Sequence, residues 1–110
     1  MIEELFMEEI KNLVLAIQKT PSVYFWRCSY IEFVAFLNGY VYKEKSNFLE
    51  NFKKWILAKN GNRGSDLIWN ALVLIDSNYD MNEIENLTIK DNIKLIRYVS
   101  NLLVEFFSEI

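Results

Sequence analysis

An all-α single domain, folded as a bundle of about five helices, is the architecture this chain predicts. Three observations point to it. One proline and three glycines in 110 residues leave few breakers, which favours long helices over many short strands. Apolar residues recur at three-and-four spacing along most of the chain, the period of a helix with one buried face. Apolar residues make up 52% and aromatics 15%, enough for the chain to bury one core and not to be disordered. The length suits one domain spanning 1–110 and is too short for two.

The first helix is expected over residues 2–19, where Ile2, Leu5, Phe6, Ile10, Leu13, Val14 and Ile17 share a face. Glu3, Glu4, Glu8 and Glu9 suit the positive end of its dipole. Thr20 precedes Pro21, is biased away from helical geometry, and should end it. Residues 21–28 read as a connector holding three aromatics in a row, Tyr24, Phe25 and Trp26. Such a loop can tuck over the core, or it can offer an aromatic anchor to a partner.

Ser29 opens the second long helix, because Ser29-Tyr30-Ile31-Glu32 has the form of a capping box. Ile31, Phe33, Val34, Phe36, Leu37, Tyr40 and Val41 give it a broad apolar face, and Lys43-Glu44-Lys45 ends it. Gly39 lies inside this helix at a cost of roughly 1 kcal/mol relative to alanine, which predicts the close approach of another helix there. Ser46 or Asn47 caps the next helix, with Phe48, Leu49, Phe52, Trp55 and Ile56 as its stripe, and Gly61 closes it. A shorter helix is expected from Ser65 to near Ser77, followed by an irregular, acidic stretch over 78–87. Thr88-Ile89-Lys90-Asp91 starts the last helix, whose stripe includes Ile89, Ile93, Ile96, Leu103, Phe106 and Phe107. Val73-Leu74-Ile75 is the one segment that also fits a buried strand.

Composition narrows the function. The chain has no histidine, the commonest general base and transition-metal ligand, which removes most hydrolase triads and zinc sites. Carboxylate chemistry remains open, but paired carboxylates need a cleft that a small bundle seldom offers. Asp76-Ser77-Asn78-Tyr79-Asp80 has the look of a calcium loop, yet Leu87 stands where the twelfth-position glutamate is required and the glycine is missing. No catalytic residue, metal or cofactor is therefore expected. Cys28 is the one cysteine, so no disulfide can form within the chain, and it reads as a small buried apolar side chain. The acidic N-terminal stretch is unlike a signal peptide, and no apolar run approaches the roughly 18 residues a membrane span needs. A cytoplasmic protein without a membrane partner is the expectation.

The order of certain residues resembles a group of small bacterial proteins. It runs through Gln18-Lys19-Thr20-Pro21-Ser22-Val23-Tyr24, then Ser29 to Phe36 and Leu37-Asn38-Gly39-Tyr40. Phe48-Leu49, Phe52-Lys53-Lys54-Trp55-Ile56, Gly64-Ser65 and Trp69 complete it. The group resembled is the helical immunity proteins of polymorphic toxin systems, including contact-dependent growth inhibition. The resemblance covers residues 18–75, about half the chain, and Phe-Leu-Asn-Gly-Tyr is its most specific part. Thr20 stands where that group has arginine, and Ser22 where it has glycine. The resemblance implies a non-enzymatic inhibitor of a cognate toxin and carries no catalytic residues.

Charge refines that expectation. The net charge is −3, yet residues 64–89 carry Asp66, Asp76, Asp80, Glu83 and Glu85 and no basic residue. An acidic surface can plug the basic cleft of a nuclease and speed the encounter. The candidate toxin-binding residues are therefore Asp76, Tyr79, Asp80, Glu83 and Glu85, helped by Glu44 and Glu50, with Tyr79 or Trp26 as apolar anchor. The rival is a small nucleic-acid-binding regulator using residues 43–63, which hold Lys43, Lys45, Lys53, Lys54, Lys59 and Arg63 against Glu44 and Glu50. A helical dimerisation module is a third reading. The free protein is expected to be a monomer or weak dimer that binds no nucleic acid.

Overall fold

Ile10, Val14 and Ile17 are fully buried, at the spacing that turns side chains to one side of a helix. In the computed structural model they belong to α1 (Ile2–Lys19). After it come α2 (Pro21–Tyr24), α3 (Tyr30–Lys43), α4 (Phe48–Asn60), α5 (Trp69–Asp76) and α6 (Ile89–Glu109). A 3-10 helix, Met81–Asn86, lies between the last two. The structure describes residues 2–44, 46–77, 79 and 81–109, without the side chains of Ile2, Glu3, Glu4, Asp76 and Met81. No strand occurs among the described residues, and Val73-Leu74-Ile75 is helical.

The core is built on α1 and α6, which pack along each other more extensively than any other pair. They run antiparallel. Gln18, near the end of α1, bonds the Asn101 side chain, and its carbonyl accepts from Arg97 Nε at 3.1 Å. At the other end Phe6 meets Phe48, which stacks on Phe107. Leu95, Ile96, Val99 and Leu103 form the fully buried side of α6. Phe52 of α4 lies within ring contact of Trp55, Trp69 and Phe106, so one aromatic cluster joins α4, α5 and α6.

Helix ends follow local chemistry. The Ser29 hydroxyl accepts from the Glu32 N–H at 3.1 Å and the Glu32 carboxylate accepts from the Ser29 N–H at 3.1 Å, so the capping box is formed. Asn47 stands at the N-cap of α4 without a side-chain bond, and the Ser46 hydroxyl before it accepts from the Phe48 N–H. Gly61 adopts φ 72° and gives its N–H to the Leu57 carbonyl, ending α4 as expected. The Thr88 hydroxyl accepts from the Asp91 N–H at the start of α6.

Several expectations need correction. The connector after Pro21 contains a one-turn helix, because proline at the first helical position is preset for that φ. The helix expected from Ser65 starts only at Trp69. Gly64 stands at φ 81°, where an added Cβ would lie 3.0 Å from the Leu72 side chain, so the chain turns there before the next helix can begin. Residues 81–86 are ordered into the 3-10 helix instead of being irregular. Leu5, Ile31 and Ile89 were placed on buried stripes and are exposed.

Gly39 is also corrected. Nothing lies within 4 Å of the Cβ that a larger residue would add there, so no helix approaches it closely. The glycine therefore carries its helix cost without compensation. Gly39→Ala is expected to stabilise the protein by about 0.5–1 kcal/mol, measured by urea unfolding. A destabilised variant would show that the position has a packing role.

Candidate protein-binding surface

The corner between α2 and α3 separates the three consecutive aromatics. Phe25 is buried between Phe33 and Phe36, with ring centroids 6.1 and 5.9 Å away. That wedge turns its neighbour outward: Trp26 is 94% exposed, more than any other large apolar side chain among the described residues. Cys28 then takes φ 51°, a left-handed conformation uncommon outside glycine, and is buried as expected. Its backbone brings Ser29 round to start α3.

Glu32 stabilises this corner. Its carboxylate accepts from the N–H groups of Arg27 and Ser29 at 3.0 and 3.1 Å, and from the Ser29 hydroxyl at 3.1 Å. Desolvation works to raise its pKa, but these hydrogen bonds and the nearby Arg27 charge outweigh it and hold the carboxyl below its ordinary value.

A buried asparagine locks α3 to α6. Asn92 Oδ1 accepts from the Tyr30 N–H at 2.9 Å. Its Nδ2 donates to the carbonyls of Leu87 and Thr88 at 3.2 and 3.0 Å. The Tyr30 hydroxyl donates to the Asn70 carbonyl at 2.8 Å, and burial raises its pKa. Two helix starts and the end of the 3-10 helix are thus held side by side.

Between them lies an open groove of about 780 Å³. Trp26 and Ile31 line one side, and Ile84, Leu87 and Ile89 the other. Ile89 is 66% exposed. Glu85 joins the lining from the 3-10 helix, and Glu83 is exposed on the same short helix. Neither carboxylate has an ion-pair partner among the described residues.

The structure therefore brings Trp26 and Glu85 to one groove, with Glu83 on the same short element as Glu85. It places the other candidates elsewhere. Glu50 lines a separate groove of about 360 Å³ with Tyr42, Lys53 and Ile68. Glu44 is exposed at the end of α3 and lines neither groove. Tyr79 is half-buried against the core. Asp80 and the side chain of Asp76 lie outside the described residues.

Sequence reasoning missed Ile31 and Ile89 as surface residues. The buried stripe of α3 is Tyr30, Phe33, Leu37 and Val41, and Ile31 stands one residue off that register. Ile89 is in register on α6, but polar Asn92 occupies the next turn, marking where the apolar stripe gives way. Both signals were present in the order of residues.

No family model matches this chain, and no curated protein or solved structure matches it. Among the described residues no three His, Cys, Asp or Glu side chains gather as a metal site. No helix among them is long and apolar enough to cross a membrane. In the basic 43–63 segment, Lys59 lies 3.6 Å from both Glu105 and Glu109 and over the Trp55 ring, while Lys45 lies outside the described residues.

Proposed function

We propose that this chain is an immunity protein: it binds a bacterial toxin domain, covers its active site or substrate-binding surface, and performs no reaction of its own. The observation that carries the reading is an exposed tryptophan beside an open apolar groove flanked by carboxylates. Tryptophan is enriched among the residues that dominate protein interfaces. Leaving so large an apolar surface in water is costly unless a partner covers it. The resemblance over residues 18–75 supplies the class of partner, and the acidic 64–89 segment favours a basic nuclease.

The test is co-expression with C-terminal domains of polymorphic toxins, beginning with any whose gene lies directly upstream of this one. A stable stoichiometric complex, and survival of cells that the toxin alone kills, are the expected results. Failure of every one to co-purify, with no rescue, would refute the reading. Tight, steeply salt-dependent binding to DNA or RNA by the free protein would replace it with the nucleic-acid one.

A further inference from the structure

We infer that the groove beside Trp26 receives a single basic, amphipathic segment of the partner and is the energetic centre of the interface. This rests on the toxin-binding reading for the identity of the partner. The chemistry of the groove sets the occupant's character. Its inner amide already has partners, Asn92 being engaged with Tyr30, Leu87 and Thr88, while Glu32 spends one carboxylate oxygen, Oε1, on Ser29 and Arg27. The groove therefore offers apolar contact, with the other Glu32 oxygen and Glu85 as its acceptors for new hydrogen bonds.

Trp26, Ile31 and Ile89 supply that contact from two sides. Burying them would take each from water without moving the core beneath. The rim has the opposite chemistry. The lining carries one positive charge, on Arg27, against two negative ones, on Glu32 and Glu85, and Glu83 adds a third on the same 3-10 helix as Glu85. A segment with apolar side chains on one face and lysines or arginines beside them matches both parts. The groove lined by Tyr42 and Ile68 lacks this match, because Glu50 and Lys53 there offset each other.

The experiment measures binding of the toxin domain to the full chain and its variants at two salt concentrations. Trp26→Ala is expected to weaken affinity by about 30-fold or more, the size of a hot-spot truncation. Glu83→Lys with Glu85→Lys should slow association and flatten its salt dependence. A Tyr42→Ser, Glu50→Lys variant should bind like the unaltered chain. Circular dichroism and thermal midpoints should be nearly unchanged in all of them, since every altered side chain is exposed.

Binding by the unaltered chain with no loss in W26A or the charge-reversed variant would overturn the inference and leave the toxin-binding reading standing. Loss confined to the Tyr42 and Glu50 variant would overturn it as well. Absence of binding by the unaltered chain would refute the reading, and the inference with it.

Discussion

Phe52→Ala should destabilise the fold by about 3–5 kcal/mol, the range for removing a fully buried aromatic ring. Phe52 is fully buried, and its ring lies 6.0 Å from Trp55, 6.2 Å from Trp69 and 5.6 Å from Phe106. Three large, stiff rings cannot collapse far into the space left behind, so the cavity should persist. Urea unfolding followed by circular dichroism would give the loss. Tryptophan fluorescence should shift in the folded state as well, because two of the flanking rings are indoles. A loss below about 1 kcal/mol would mean that the cluster repacks around the gap.

Asn92→Ala should cost about 2–3 kcal/mol, although it removes only an amide. The amide serves the Tyr30 N–H on α3 and two carbonyls that end the approach to α6. Truncation leaves the buried Tyr30 N–H without its partner, and an unsatisfied buried donor costs more than an average hydrogen bond contributes. The same change frees the start of α3 from the start of α6, so the groove between them should lose definition. The paired measurement is unfolding free energy and affinity for the toxin domain. If stability falls by less than 0.5 kcal/mol, on the order of one weak hydrogen bond, Asn92 is not the lock described here.

Much of the fold was legible because it depends on local rules. The buried positions Phe6, Ile10, Val14 and Ile17 of α1, the Ser29 capping box and the left-handed Gly61 are decided within a turn or two of chain, and the sequence shows them. The start of α5 is not legible locally, because the left-handed turn at Gly64 leaves little room for a Cβ beside Leu72, eight positions away on the next helix, and no side-chain cap marks the helix start. Gly39 was misread for the converse reason: its cost suggested a partner helix, and none comes near.

The surface was legible in part. Trp26 is one of three aromatics in a row, and only the burial of Phe25 decides that Tyr24 and above all Trp26 face water. The acidic candidates were grouped by distance along the chain. In space Glu50 belongs to a different groove and Glu44 to neither, because α3 and α4 turn those positions away from the α2–α3 corner. Asn92 was passed over altogether, since a lone polar residue on an amphipathic helix ordinarily marks the solvent side.

The α1–α6 pairing bears on how the protein is made. Arg97 closes on Gln18 across 79 positions of sequence, so the ribosome must deliver all the intervening helices before α1 finds its principal neighbour. Until then the greasy flank of α1 is bare in the nascent chain, which invites chaperones and aggregation. Closing so wide a loop also delays the rate-limiting collapse, so this bundle should fold more slowly than others whose helices pair mainly with the next in line.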